Sequence, residues 1–214
     1  MAKSIGSPYF HKSVAQAAST VISVKCSQCG NEAKFYFAIG VAIHKKDIPY
    51  FQKYKNFVCE KLSSVQLGGG NGYYAYFFPH LLESKVSSIK KLPAGYDPTQ
   101  WEVSPQNFNF YFLSDIGKHK RLGTLVCSHC HYRAKHTLVW PQNAFFQWKI
   151  KKGNVLWAMD RKDAIALRNF IAEKNRLPNP KFDFLLPKAF KKKSVRDDII
   201  KKIDRTLAST KENI

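Results

Sequence analysis

The sequence predicts an α+β protein, on three observations. A strand, a short cysteine-containing turn and a second strand occur twice, at roughly residues 20–38 and 122–140. A glycine-rich turn precedes Tyr73–Phe78, whose aromatic residues are typical of a strand. After Asp160, apolar residues recur mainly at helical spacing. We therefore expect short antiparallel strands, a β-rich middle and C-terminal helices.

Four of the five cysteines form two C-x-x-C motifs, which begin at Cys26 and Cys127. The likeness continues beyond the cysteines, because both segments read C-S-x-C-x-x-x-A-K through Lys34 and Lys135. A C-x-x-C presents two thiolates from one tight turn, which is half of a tetrahedral zinc site. Two such turns predict one structural Zn²⁺, because four protein ligands leave no open position for water or substrate. The predicted ligands are Cys26, Cys29, Cys127 and Cys130.

These two hairpins resemble the knuckles of zinc-ribbon proteins, in which two such turns hold one zinc from opposite sides. The resemblance covers the hairpins alone and implies a split, zinc-ribbon-like antiparallel core. Ordinary ribbons separate their halves by about 15–20 residues, whereas residues 30–126 lie between them here. We therefore predict a zinc-centred α+β domain at 1–176 with a long insertion at about 42–120. Residues 177–214 are predicted to form a basic linker and a C-terminal helix.

Two alternatives for the paired cysteines stay open: redox dithiols and disulfides. A thioredoxin-type dithiol lies where a strand meets a helix, whereas strand-like runs follow both motifs here. The first 24 residues contain Lys3 and no clean apolar segment, so we expect no signal peptide. No run approaches the roughly 18 apolar residues of a membrane helix. We therefore expect a cytoplasmic or otherwise intracellular, reducing location, where paired cysteines are more often metal ligands.

The composition is unusual in its charge. The chain has 35 Lys and Arg and 15 Asp and Glu, which gives a net charge of +20. Because such an excess repels itself in a compact state, a polyanionic partner is its simplest explanation. A membrane is not expected as the partner, because no stretch is a clear basic amphipathic helix with an aromatic face. We predict binding to nucleic acid, with DNA favoured over RNA. The candidate residues surround the metal turns: Lys25, Lys34, Lys118, Lys120, Arg121, Tyr132, Arg133 and Lys135.

Two other functions compete with this prediction. A basic adaptor for a protein or ribonucleoprotein would bind its partner tightly and naked nucleic acid weakly. A nuclease carried by the insertion would use acidic and histidine side chains, for which the candidates are His44, Asp47, Glu60, Asp115, His119 and His131. The sequence contains no H-E-x-x-H, no deaminase motif and no clustered acidic set for two metals. We therefore favour a protein that is not an enzyme.

The remaining elements follow from local patterns. Asp47 and Pro49 indicate a helix start, and helical spacing relates Phe51, Tyr54, Val58 and Leu62. Cys59 is predicted to be a core thiol rather than a ligand. Residues 145–150 and 155–158 flank a glycine-containing turn and predict a β-hairpin. Two C-terminal helices are predicted, one capped by Asp160 with a stripe of Ala164, Leu167, Phe170 and Ile171, and one with Ile199, Ile200, Ile203 and Leu207.

Overall fold

The structure is a computed structural model that describes residues 4–5, 21–62, 72–81, 121–150, 155–173 and 193–210. Its strands are β1 Ser4–Ile5, β2 Val21–Lys25, β3 Glu32–Phe37, β4 Ile39–Ile43, β5 Phe57–Leu62, β6 Gly72–Phe77, β7 Arg121–Val126, β8 Arg133–Leu138, β9 Gln147–Lys149 and β10 Val155–Trp157. Its α-helices are α1 Ile48–Phe51, α2 Arg161–Ala172 and α3 Lys193–Ser209, and a 3-10 turn spans Lys45–Asp47. The α+β prediction is confirmed.

The strands form three sheets in the described residues, with the orders β2-β3-β7-β8, β4-β6-β5 and β1-β10-β9. The first sheet contains the strands that flank both cysteine turns. In it β3 pairs antiparallel with β7, and β7 pairs antiparallel with β8. Strand, cysteine turn and strand therefore occur twice, as the sequence predicts.

Backbone contacts divide the chain into two compact units. Of the described residues, the first unit takes β1, residues 22–33 and those from residue 139 onward, and the second takes Val21 and those within residues 34–138. The first unit thus contains the sheet β1-β10-β9 with helices α2 and α3, and the second contains the sheet β4-β6-β5 with β7 and β8. The predicted boundary at 176/177 lies between described segments and stays a prediction.

The core of the first unit forms between α2, α3 and the β9–β10 hairpin, three elements that the sequence predicts one by one. Asp160 caps α2, because its carboxylate accepts a hydrogen bond from the Asp163 backbone N–H at 2.7 Å. The predicted stripe of α2 and two of the isoleucines of α3 are buried together with the apolar residues of the hairpin. The buried members are Phe146, Trp148, Ile150, Leu156, Ala158, Ala164, Leu167, Phe170, Ile171, Ile199 and Ile203.

Two arginines of α2 contact α3 in different ways. Arg161 Nη1 donates to the carbonyls of Leu207 and Thr210, at 2.8 and 2.9 Å, and to the Thr210 hydroxyl. These carbonyls lie at the end of α3, where backbone oxygens have no partner within the helix. Arg168 forms a two-pronged ion pair with Asp204, whose side chains are 35% and 48% exposed. No described α-helix has the length and apolar character needed to cross a membrane.

The sheet β4-β6-β5 corrects one prediction. The sequence predicts a helix from Asp47 through Leu62, but α1 ends at Phe51 and β5 begins at Phe57. Six residues of β5 pair with β6, and this long-range pairing prevails over the helical spacing. Of the predicted stripe, Phe51 is nevertheless buried in the aromatic cluster and Tyr54 packs against it, so the prediction identified core residues and assigned the wrong period.

Cys59 lies on β5, half-buried against that same aromatic cluster. Burial raises the pKa of its thiol. The predicted strand at Tyr73–Phe78 corresponds to β6. Of the predicted glycine-rich turn, residues 67–71 lie outside the described residues and Gly72 begins β6. Of the segment at 79–120, which the sequence predicts to be irregular, residues 79–81 belong to no helix or strand, and residues 82–120 lie outside the described residues.

We predict that Arg161→Ala lowers the free energy of unfolding of the first unit by about 1.5–3 kcal/mol, because it removes charged hydrogen bonds to the end of α3. Arg168→Ala is the matched control, since it removes an exposed ion pair worth about 0–1 kcal/mol. Urea unfolding followed by tryptophan fluorescence measures both, because three of the four tryptophans lie in this unit. Equal losses for the two variants would contradict the role of Arg161.

Candidate metal centre

Each cysteine pair lies on the turn that leaves one strand and enters the next. Cys26 follows β2 directly, and Cys127 follows β7. These two side chains are 3% and 1% exposed, whereas Cys29 and Cys130 lie at the surface. The first cysteine of each pair is therefore held by the end of a strand, and the second is held by the turn.

The two turns share one backbone hydrogen-bond pattern. The Cys26 N–H donates to the Asn31 carbonyl at 2.8 Å, and the Cys127 N–H donates to the Tyr132 carbonyl at 2.8 Å. In both cases the first cysteine is bonded to the residue five positions later. The repeat in the sequence is therefore a repeat of backbone geometry.

The residue after the second cysteine has a positive φ in both turns. Gly30 has φ 74°, and His131 has φ 58°. Glycine adopts this left-handed conformation without strain, whereas a residue with a Cβ pays about 1–2 kcal/mol for it. The turn geometry thus forces His131 into a costly conformation that its counterpart Gly30 adopts freely.

The four paired cysteines come together at one place. Their Sγ atoms all lie within 4.8 Å of one another. A tetrahedral site with metal–sulfur bonds of about 2.3 Å has its sulfurs about 3.8 Å apart, so this spacing suits one metal ion. None of the five cysteines is joined in a disulfide. The four predicted ligands therefore lie close enough to hold one metal ion, and Cys59 does not belong to the group.

Neighbouring groups donate hydrogen bonds to the sulfurs of the first pair. The Gln28 backbone N–H donates to Cys26 Sγ at 3.4 Å, and Asn31 Nδ2 donates to Cys29 Sγ at 3.5 Å. Such hydrogen bonds orient a ligand and stabilise its negative charge. The second C-x-x-C contains His129, and His131 follows it. Neither histidine belongs to the cluster, as expected when four thiolates fill a tetrahedron.

The other interpretations find less support in the part of the chain that is described. A strand, not a helix, follows each C-x-x-C, so neither pair has the surroundings of a thioredoxin-type dithiol. Among the nuclease candidates, His44 and Asp47 lie at the 3-10 turn and Glu60 lies on β5, while Asp115 and His119 lie outside the described residues. The cysteine cluster is the only group of metal-ligating side chains found among the described residues.

The predicted nucleic-acid contacts fall into three groups. Lys25, Lys34 and Arg133 are exposed, and Tyr132 is half-buried. The backbone of Arg121 begins β7. Lys118 and Lys120 lie outside the described residues.

Lys135 differs from the other candidates because it is held by its own unit. Its Nζ donates to the Phe57 carbonyl at 3.3 Å and lies 5.1 Å from the centre of the Phe78 ring. Partial burial lowers the pKa of this lysine. Lys135 therefore contributes to packing, which its sequence position beside the metal turn does not indicate.

Gly123 is a structural requirement that the sequence analysis does not identify. It lies in β7 opposite Phe37, where an added Cβ would collide with the ring of Phe35 and the carbonyl of Tyr36. A glycine inside a strand is the signal for such a close approach of another chain segment. The sheet that contains the metal turns can therefore pack only with glycine at this position.

Comparisons with protein families, with curated proteins and with solved structures find no match for this chain.

The positive φ of His131 gives a prediction with a matched reverse change. His131→Gly should raise the free energy of unfolding by about 1 kcal/mol, because it removes backbone strain. Gly30→Ala should lower it by a similar amount, since a Cβ there meets no atom within 4 Å and only the backbone is strained. Denaturant unfolding of metal-loaded protein measures both.

Both variants should keep the full metal content in elemental analysis, because neither changes a ligand. A loss of metal in His131→Gly would instead identify His131 as a ligand and overturn the four-cysteine assignment.

Proposed function

We propose that this chain is a zinc-stabilised nucleic-acid-binding protein with a split, zinc-ribbon-like core, and that DNA is its favoured ligand. One observation carries the proposal: exposed Lys34 and Arg133 lie on the strands that emerge from the metal turns, in a chain of net charge +20. The four clustered cysteines support the zinc, and the excess of positive charge supports the polyanionic ligand.

The choice of zinc rests on the chemistry of the donors. Four thiolates are soft ligands, and a tetrahedral set of four sulfurs is typical of Zn²⁺ or an iron–sulfur centre. Two C-x-x-C turns on hairpins are the arrangement of structural zinc sites. When bound, the ion cross-links the two turns and contributes its binding energy to folding. With four protein ligands it leaves no position for catalysis, so the role we propose is structural.

The choice of nucleic acid rests on the position of the charges. Lys34 is the third residue of β3 and Arg133 is the first residue of β8, so both lie on rigid elements that begin at the turns. Lysine and arginine on a rigid surface supply phosphate contacts, which give affinity without information about sequence. Lys25, at the end of β2, is exposed as well. We therefore propose that these side chains bind the phosphate backbone.

A protein partner is the second candidate. A surface that binds an acidic protein or a ribonucleoprotein is basic as well, so charge does not distinguish an adaptor from a nucleic-acid-binding protein. The adaptor is therefore one of the outcomes of the experiments below. Weak binding to every nucleic acid, together with tight binding to a protein, would favour it.

The metal assignment predicts one zinc per chain. Cys26→Ser should abolish or strongly reduce zinc content, because it removes a buried ligand of the cluster. Cys59→Ala is the matched control and should keep full zinc content while losing packing energy, on the order of 1–2 kcal/mol. Elemental analysis of protein prepared without chelator measures both.

Equal zinc losses in the two variants would refute the ligand assignment. Cobalt-substituted protein checks the donor atoms separately, since its absorption spectrum should show four thiolates, and a mixed sulfur–nitrogen spectrum would contradict this.

The nucleic-acid assignment predicts a strong dependence of affinity on salt. Log affinity for duplex DNA should fall linearly with log salt, by about 0.9 for each phosphate neutralised. The double variant Lys34→Gln and Arg133→Gln should weaken binding to all sequences and flatten the slope by about 1 per lost contact. Lys53→Gln with Lys55→Gln changes the net charge equally and should leave the slope unchanged, because these exposed lysines lie after α1, away from both cysteine turns in sequence.

Fluorescence anisotropy over a series of salt concentrations measures these slopes. Non-specific binding typically has Kd values of about 10⁻⁴–10⁻⁶ M. If neither DNA, duplex or single-stranded, nor single-stranded RNA binds below about 10 μM at physiological salt, the nucleic-acid proposal is wrong. Cleavage of the probe on addition of a divalent metal would favour the nuclease.

A further inference from the structure

The sheet residues beyond the metal turns separate into a core face and a polar face. Side chains of a strand alternate between faces, and in β3 the alternation is clear. Phe35 and Phe37 are 0% and 4% exposed, whereas Lys34 is exposed and Tyr36 is half-buried. Lys34 and Tyr36 therefore share the face that is turned away from the aromatic core.

The strand register extends this polar face across β7 to β8. Lys34 lies opposite Val126, and Val126 lies opposite Arg133. Because neighbouring strands are about 4.8 Å apart, the backbones of Lys34 and Arg133 are about 10 Å apart. These two residues form a row of positive charge beside the turns, which we call the cation row.

The next row on the same face contains an aromatic pair. Tyr36 lies two residues beyond Lys34, about 7 Å further along the strand. Its ring centre is 4.1 Å from that of His80, at an interplanar angle of 44°. His80 is exposed and has φ 59°. Tyr36 thus supports an exposed flat ring, which we call the His80 platform.

Lys135 lies at the other end of the row that contains Tyr36. The register relates Tyr36 to Thr124 and Thr124 to Lys135, and the Lys135 ammonium is held against Phe78. Phe78 and His80 belong to the same segment after β6, so this segment packs onto the polar face at two points. The segment that carries the His80 platform is therefore held at Phe78 as well as at His80, which limits the freedom that the ring can lose on binding.

We propose that this face binds single-stranded nucleic acid, with a base stacked on the His80 platform and the adjoining phosphates on the cation row. The inference rests on the proposed function and specifies its ligand. An exposed aromatic ring beside positive charge is what stacking and phosphate contact together require. The two rows are separated by about 7 Å, within the reach of one nucleotide.

The geometry favours a single strand over a duplex. Base faces are accessible for stacking only where the bases are unstacked, as in single strands. The major groove of B-DNA is about 12 Å wide and admits a helix or a two-stranded ribbon. The sheet β2-β3-β7-β8 has four strands, so its outer strands are about 14 Å apart before side chains are added. This face is therefore too broad to enter the groove.

The test compares probes that differ only in their bases. Full-length, zinc-loaded protein is titrated into fluorescent oligothymidylate of about 20 nucleotides, into an abasic strand of equal length and into a duplex of equal length, with oligouridylate distinguishing RNA from DNA. We expect the thymidylate strand to bind at least about 5-fold more tightly than the abasic strand, because stacking of one base is worth about 1–3 kcal/mol. The duplex should bind no better than the abasic strand.

His80→Asn removes the ring and keeps a residue that tolerates positive φ. It should abolish the preference for bases and leave affinity for the abasic strand unchanged. Tyr36→Leu, which removes the supporting ring, should also abolish the preference for bases. It replaces His80→Asn in the test if that variant does not bind zinc. His44→Ala, at an exposed histidine beside the 3-10 turn, is the matched control and should change nothing.

The outcomes separate this inference from the proposed function. Equal affinity for thymidylate, abasic and duplex probes, with a normal salt slope, would overturn the single-strand inference and leave the proposed function standing. A preference for bases that survives both ring variants would also overturn it, because the platform would not be its cause. Failure of every probe to bind would refute the proposed function and the inference with it.

Discussion

The convergence of four sulfur atoms is the constraint on which the rest of the structure depends. Cys26 and Cys127 lie about 100 residues apart in sequence, yet their Sγ atoms and those of their partners lie within 4.8 Å. Cross-linking a loop of that length removes about 4.7 kcal/mol of chain entropy from the unfolded state. Structural zinc sites contribute about 10–16 kcal/mol of apparent binding energy. A metal bound here would therefore contribute more free energy than closing the loop requires.

The two cysteine turns have one geometry and two different roles. Both bond the first cysteine to the residue five positions on, and both place a positive φ after the second cysteine. Beyond the turns the copies diverge. Lys34 and its counterpart Lys135 are both exposed, but Lys135 also contacts the Phe57 carbonyl and the Phe78 ring. At this position the first copy thus supplies a candidate for ligand contact, and the second anchors the segment that carries His80.

The sequence could predict whatever depends on neighbours along the chain. The cysteine turns, the strands beside them, the Asp160 cap and the apolar stripes of α2 and α3 all follow from local spacing. The helix predicted through Leu62 failed because the apolar residues also suit a strand, and only the distant partner β6 decides between the two. Gly123, Lys135 and His80 depend likewise on contacts with distant residues. No local pattern distinguishes Lys135 from Lys34, since both end the same repeated motif.

Lys34 and Arg133 lie near the metal turns, and the negative charge of the metal centre is a second explanation for positive residues at these positions. Four thiolates with one Zn²⁺ carry a formal charge of about −2, so neighbouring cations stabilise the centre whether or not any ligand binds. Two such residues would neutralise it, and the chain would still carry about +18. The metal centre thus accounts for a small part of the excess. The remainder repels itself in the folded protein, and an external polyanion relieves that repulsion in a way that the centre cannot.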